Sequence, residues 1–506
     1  LLLPVAGGLL IGLVWQWLSR DTRQVGVVHV MERMQFHQSK LPLRNAAAQF
    51  FGAALSIISG HSVGREGPSV HLGATSGSQI GQWLRLPNNS LRTLSACGIA
   101  AAIAASFNTP LAGVIFSMEV VLMEYSVISF APVILAAVTA TTLTRLVYGS
   151  DPVFDIPVMQ MGSLSELVYV IIMGVALGCI AALFIHLLQH STARSQRIPI
   201  WIRCTLGGAV VGLVSMAVPE VMGIGYDTVN RALLGQLALS TLLIVTAAKI
   251  FASALGLGLG LPGGLIGPTI VIGALAGGAA GIMADSWLPG HVAIPAFYAL
   301  IGMITMMGAT LQAPLAALTA MLELTANPNI ILPGMLALIA GVLVSREVFG
   351  KESVYLVLMK ARGLDYRSTP LTQALRRIGV AGMMERRFES LPDAMTRERV
   401  LEALASEPRW ILITQDRKPV AIMPAADLAR EVQENPDRTA CSLLEIPAER
   451  REVTAIDFQA SMEEALELLD KNEAEALFVT RHTVPGISRV YGVITREELE
   501  RSYSIS

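Results

Sequence analysis

The residues best equipped for chemistry are Gly64-Arg65-Glu66-Gly67-Pro68-Ser69-Val70-His71-Leu72-Gly73, which set an acid and a base between two glycines inside an apolar region. An ionisable side chain at membrane depth is costly and marks a functional site by default. Pro68 suits the first turn of a helix, and the run from Val70 to Trp83 continues one. Glu66 then stands just before a helix N-terminus, where free backbone N–H groups and the positive end of the dipole attract anions. A carboxylate held there can occupy an anion site itself until a mobile anion displaces it.

The surrounding chain supports that depth. Its 506 residues are 53% hydrophobic and only 15% charged, with mean hydropathy +0.56, where a soluble protein carries about 25% charge. Charge is sparse from 1 to 350 and dense from 360 to 506, which predicts a multi-span membrane domain followed by a soluble one. A net charge of −2 points to no nucleic-acid partner. Cys97, Cys179, Cys204 and Cys441 have no CxxC spacing, and neither a disulfide framework nor a metal site is expected. No nucleophile–base pair and no HExxH spacing suggests an enzyme. There is no initiator Met and no signal-peptide pattern, and Leu1–Trp17 already resembles a membrane helix, so we expect residues to precede Leu1.

Candidate spanning or half-spanning segments run at about 1–19, 43–60, 68–84, 94–123, 127–148, 165–190, 201–218, 237–258, 266–286, 292–310, 312–325 and 330–347. Several are short or crowded with Gly and Pro, as in transporters built from repeats. A repeat is visible directly. Gly67-Pro68-Ser-Val-His-Leu-Gly73-Ala74 resembles Gly267-Pro268-Thr-Ile-Val-Ile-Gly273-Ala274, and Pro110-Leu111-Ala112 with Glu119 resembles Pro314-Leu315-Ala316 with Glu323. The halves are about 1–150 and 165–348. The similarity alone does not say whether they are inverted; we expect that they are.

After a linker at 351–378, the chain reads as a tandem α/β repeat over 379–506, with modules at about 379–432 and 440–502. Trp410–Thr414, Val420–Met423, Ala476–Thr480 and Val490–Ile494 predict buried strands, and Arg397–Ala405 and Ser461–Asp470 predict amphipathic helices.

Gly64-Arg-Glu-Gly-Pro68, Gly263-Gly264-Leu265-Ile266-Gly267-Pro268, Phe107-Asn108-Thr109-Pro110-Leu111-Ala112-Gly113 and Tyr355 resemble the anion-pathway signatures of the CLC chloride channel and transporter family. The resemblance covers about 20–360. The C-terminal repeat is similar to a pair of cystathionine-β-synthase (CBS) modules. The resemblance implies an all-α polytopic membrane domain of two repeats with broken helices, followed by the soluble α/β pair. It also implies a homodimer with one pore per subunit in a lipid bilayer, here a plasma membrane (a bacterial inner membrane) with the CBS modules cytoplasmic. Glu66 matches the family's gating glutamate. Val25, Gly26, Arg65, Gly67, Leu265, Ile266 and Tyr355 match its anion-binding positions, with backbone N–H groups at Leu265 and Ile266 and a hydroxyl at Tyr355 as donors.

Three positions depart from the family pattern. Val25 replaces a serine in Gln24-Val25-Gly26-Val27-Val28, removing one side-chain donor. Val120 replaces the internal proton glutamate that follows Glu119. Ile266 replaces a phenylalanine, a milder change. Transport of chloride or a related small anion is therefore expected, channel-like and gated by Glu66. The alternative is a secondary transporter with proton or other ion coupling, or one for fluoride, nitrate or bicarbonate.

His29, beside the altered turn, is a candidate proton carrier, whereas His71 suits a hydrogen bond within a packed helix. Glu119, with Glu323 at the equivalent place, suits capping between halves or ion handling. Lys249 suits snorkelling or a positive potential for anions. Glu124, near a helix end, is expected to be solvated. In the second CBS module Thr495 and Glu498 resemble contacts to an adenine nucleotide, but Pro424 stands where the first module should offer a hydroxyl. No cofactor is required on this reading, and a structural, dimer-stabilising role is expected for the pair.

Overall fold

The computed structural model describes residues 2–125, 127–149, 159–287, 293–364, 370–436, 440–484 and 487–499. The first residue of the expected segment 292–310, part of the expected linker and the expected end of the second module at 502 lie outside them. The chain divides into one unit of 1–84 and 91–366 and another of 85–90 and 367–506.

The first unit is all-α. Its first half holds α1 (Leu2–Trp17), α2 (Gly26–Phe36), α3 (Leu43–Ile58), α4 (Glu66–Trp83), α5 (Asn88–Phe107), α6 (Pro110–Phe116, extended by a π turn to Leu122) and α7 (Val127–Tyr148). The second holds α8 (Glu166–Ser195), α9 (Ile200–Ala217), α10 (Tyr226–Leu233), α11 (Leu239–Gly258), α12 (Ile266–Trp287), α13 (Pro295–Leu311), α14 (Pro314–Thr325) and α15 (Ile331–Leu343); α16 (Val354–Ala361) follows. Seven helices among the described residues are long and apolar enough to cross a membrane.

The expected segment 94–123 is two helices. Asn108 takes φ 59° and Pro110 opens α6, so the chain turns between them. Two short helices, α2 and α10, occupy stretches for which no apolar segment was expected. Both are too polar and too brief to stand out by hydropathy, yet they begin 200 residues apart, at Gly26 and Tyr226. The repeat thus extends further than the matching motifs.

The halves meet where the two glycine turns pair. Gly64 N–H donates to Gly264 O (2.9 Å) and Gly264 N–H to Gly64 O (2.6 Å), an antiparallel bridge consistent with halves related by a two-fold, as an inverted repeat requires. A Cβ on Gly264 would stand 2.7 Å from Gly67 N, so only glycine permits this approach. A second exchange lies at α6 and α14. Glu323 accepts from the N–H groups of Leu111 (3.0 Å) and Ala112 (2.7 Å), and Glu119 from those of Leu315 (3.2 Å) and Ala316 (2.6 Å). Each half caps the broken helix of the other, satisfying N–H groups that hydrocarbon cannot. Glu124 is not solvated: it is buried and paired with Arg92 at 3.0 Å.

In the second unit, after α17 (Pro370–Arg377) and α18 (Val380–Met383), come β1 (Phe388–Pro392), β2 (Ala394–Thr396), α19 (Arg397–Leu404), β3 (Trp410–Gln415), β4 (Lys418–Pro424) and α20 (Ala425–Glu434). They are followed by β5 (Ala440–Ser442), β6 (Arg451–Asp457), α21 (Met462–Asn472), β7 (Ala476–Val484) and β8 (Ile487–Thr495). The six-stranded sheet runs β1-β3-β4-β6-β7-β8. β1 pairs parallel with β3, and β6 parallel with β7, each across a helical crossover; β3–β4 and β7–β8 are antiparallel. The same β-α-β-β unit therefore occurs twice. Ser461 and Glu464 form a capping box at the start of α21.

Candidate anion site

Two helix N-termini meet at the glycine bridge, and a third opens into the same cavity. Gly26 opens α2 with φ 83°, Gly67 lies in the first turn of α4, and Leu265 directly precedes α12. The first N–H groups of each helix lack intrahelical partners and carry the positive end of its dipole. All three residues line one cavity of about 850 Å³. Tyr355, 3% exposed, lines it too, and its hydroxyl has no hydrogen-bond partner.

The rest of the wall was not foreseen. Arg20, Arg23, Arg197, Arg203 and Arg362 line the cavity, and no lining residue is acidic. Arg20, Arg197 and Arg362 are exposed, whereas Gly67, Gly264 and Leu265 are buried. The cavity therefore runs from a cationic mouth to a floor of neutral amides. Such a surface concentrates anions at the mouth and binds them without trapping them at the floor.

Glu66 is fully buried and does not line the cavity, but its carboxylate lies directly behind the floor residue Gly264. As the first residue of α4, it also reaches the start of α12, where its carboxylate accepts from Gly267 N–H at 3.2 Å. Tyr226 donates its hydroxyl to the same carboxylate at 3.1 Å. Gly64, Gly264 and Gly267 surround these oxygens closely; a Cβ at Gly264 would stand 2.9 Å from Oε2. The carboxylate thus occupies a pocket made of helix N-termini, a hydroxyl and bare glycine backbone. These are ligands suited to an anion.

Tyr226 was missed at the sequence level, although the repeat offset from Gly26 could have pointed to it. Its position is secured by Lys249. That ammonium does not snorkel: it is fully buried and donates to Val221 O and Gly223 O, both at 2.9 Å, holding the turn that leads through Gly225 (φ 94°) into α10.

Other expected residues offer the cavity no side-chain donor. Arg65 does not line the cavity; its guanidinium donates to Ser106 O at 2.8 Å and sits 5.5 Å from the Phe107 ring centroid and 6.0 Å from that of Tyr226. The Ile266 side chain faces a small apolar pocket with Phe107, Ile270 and Ala316, leaving only its backbone for the anion. Val25 lines the cavity with no polar side-chain atom, and Val120 is buried among apolar neighbours. His29 and His71 are both buried, with Nδ1 and Nε2 3.0 Å apart. Among the described residues no group of three or more His, Cys, Asp or Glu could hold a metal ion.

In the second unit Thr495 and Glu498 bond each other. Thr495 N–H donates to Glu498 Oε2 (3.2 Å) and Glu498 N–H to Thr495 Oγ1 (3.3 Å), while Arg409 pairs with Glu498 at 3.0 Å. The two residues cap the helix that begins there.

The sequence profile described as voltage gated chloride channel matches residues 7–346. A putative chloride channel protein, ClcB-like, from Ralstonia nicotianae is 35% identical over 70% of this chain and 84% of its own length. The H(+)/Cl(-) exchange transporter ClcA of Vibrio cholerae is 31% identical over 62% of this chain and 68% of its own. Among solved structures, a slow cyanobacterial Cl-/H+ antiporter aligns with TM-score 0.64 and 24% identity over 71% of this chain and 86% of its own. A eukaryotic CLC transporter aligns with TM-score 0.62 and 20% identity over 98% of this chain and 89% of its own. A CLC-type fluoride/proton antiporter gives TM-score 0.60 and 23% identity over 70% and 87%.

Proposed function

The chain belongs to the voltage-gated chloride channel (CLC) family, multi-pass membrane proteins that move anions and are not enzymes, and from that premise we propose that it conducts chloride or a related small anion passively, with Glu66 as the gate. The observation that carries the reading is the seat of the Glu66 carboxylate on Gly267 N–H and Tyr226 O–H, behind the Gly264 floor of a cavity with five arginines and no acid. The carboxylate is the resident anion. A mobile anion arriving from the mouth competes for the same donors, and conduction follows when the carboxylate swings away.

Passive conduction is favoured by Val120, which is buried, apolar and unable to carry a proton. A proton-coupled reading is favoured by the relatives named as H(+)/Cl(-) exchangers and by the buried contact between the His29 and His71 imidazoles of α2 and α4. Chloride efflux from proteoliposomes with simultaneous pH recording separates them. Passive conduction predicts anion movement without stoichiometric protons; uphill proton movement driven by a chloride gradient would refute it. In a fluoride, nitrate and bicarbonate substitution series, a strong preference for one of these over chloride would instead favour another substrate.

The assignment extends to a homodimer with one pathway per subunit in a plasma membrane. We assign the second unit as a cytoplasmic CBS pair with a structural role, since Thr495 and Glu498 cap a helix with the groups an adenine nucleotide would engage. Calorimetric titration of the full chain with ATP or AMP tests this; micromolar binding would overturn it.

A further inference from the structure

Gln49, on α3, is fully buried, and neither atom of its amide has a hydrogen-bond partner. A buried amide left without a hydrogen-bond partner is destabilising, so its presence calls for a reason. The amide lines the same cavity as Val25, Gly67, Gly264, Leu265 and Tyr355. Gln49 belongs to the buried stripe of α3, with Asn45 one turn before it and Gly52 one turn after. Asn45 donates to Asp21 O (2.7 Å) and Gln24 O (3.0 Å), fixing the chain that enters the Val25 turn. Gly52 meets Pro262, at 3.2 Å from where its Cβ would stand, just ahead of the Gly263-Gly264 turn. A methyl on Gly26 would lie 4.0 Å from Gln49 Oε1. The amide therefore stands between the first turn and the central one, beside the residue that follows Val25.

We infer that Gln49 is a side-chain ligand of the permeating anion, supplying from α3 the donor that Val25 cannot offer from the turn, and that with Tyr355 it sets anion preference. The inference rests on the anion-pathway reading above. Rotation about the terminal bond presents the NH2 group, two donors without charge, to the cavity. Two unpaired buried donors, the Gln49 amide and the Tyr355 hydroxyl, then meet a dehydrated anion on the same path. A neutral donor pair favours a small anion while leaving its release rapid.

The test uses the full chain, with chloride binding measured by calorimetry and chloride-to-nitrate efflux ratios in proteoliposomes. Gln49→Leu is expected to weaken chloride binding about tenfold, the effect of one such hydrogen bond, and to shift the ratio. Val25→Ser added to Gln49→Leu is expected to restore both. Unchanged binding and ratio in Gln49→Leu, or no restoration in a monodisperse double variant, overturns the inference. If Gln49→Leu does not yield folded protein, Gln49→Glu keeps the shape and places a carboxylate on the path; chloride flux should fall at least tenfold, and wild-type flux overturns the inference. Wild-type protein that neither binds nor passes any anion refutes the pathway reading itself, which separates the two failures.

Discussion

Tyr226→Phe deletes one oxygen from the gate and little else. The Phe ring keeps the place beneath the Arg65 guanidinium, 6.0 Å from the ring centroid, and α10 keeps its anchor through Lys249. What is lost is the hydroxyl that holds the Glu66 carboxylate at 3.1 Å. Hydrogen bonds to charged groups contribute about 1.5–3 kcal/mol. This one is longer than the usual O–H···O spacing of about 2.7–2.8 Å, which places it near 1.5 kcal/mol. Gly267 N–H still holds the carboxylate, so the seat is weakened rather than abolished. At 1.4 kcal/mol per factor of ten, the carboxylate should leave its seat about tenfold more often, and chloride efflux at saturating gradient should rise about tenfold. The assay is initial chloride efflux per unit protein from proteoliposomes, in the wild-type and Glu66→Ala backgrounds. Tyr226→Phe should accelerate the first and leave the second unchanged. Equal acceleration in both, or none in the first, would refute the argument that Tyr226 acts by seating the gate.

Removing one inter-repeat cap, Glu119→Ala or Glu323→Ala, leaves two helix N–H groups unpaired and should cost about 2–4 kcal/mol, read as a lower melting temperature in detergent; a proton station at Glu119 would instead alter proton movement at unchanged stability. Lys249→Met frees the Val221 and Gly223 carbonyls and should cost a similar 2–4 kcal/mol while shifting flux toward that of Tyr226→Phe; wild-type stability would show the buried cation unnecessary. In the second unit, burial acts to raise the Glu385 carboxyl, but hydrogen bonds from Arg387 and Arg409 prevail and hold it at about 2, below the ordinary 4.5. Because the folded value lies below the unfolded one, this contribution is complete above pH 4.5 and is lost as pH falls toward 2. Thermal unfolding between pH 6 and 3 should therefore show a steeper loss for wild type than for Glu385→Gln.

Much of this site was legible because the chain states it twice. Glu66 and the Gly263–Pro268 turn stand out as interruptions of apolar sequence, and the offset between them brings the two together as Gly64 and Gly264. The same arithmetic aligned Glu119 with Glu323, which the structure places as reciprocal caps. Residues contributed from a distance were not legible. Tyr226 and Gln49 come from separate helices, and the cavity arginines from α9 and from the turns after α1, α8 and α16; nothing local distinguishes an arginine facing a cavity from one facing water. Hydropathy failed for α2 and α10, which are short and partly polar, and it merged α5 with α6 because a break at Asn108–Pro110 removes no apolar residue. In the second unit the runs Trp410–Ile413 of β3 and Ala476–Thr480 of β7 are almost wholly buried and were found, whereas β1 and β6, more mixed in character, were not.

The central claim is that the Glu66 carboxylate occupies a seat built for a mobile anion. Anomalous diffraction from crystals of Glu66→Gln grown in bromide tests it directly. The account predicts a bromide peak within hydrogen-bond reach of Gly267 N–H and Tyr226 O–H, where the carboxylate stood. A cavity with bromide at its arginine mouth and none at that seat would contradict it.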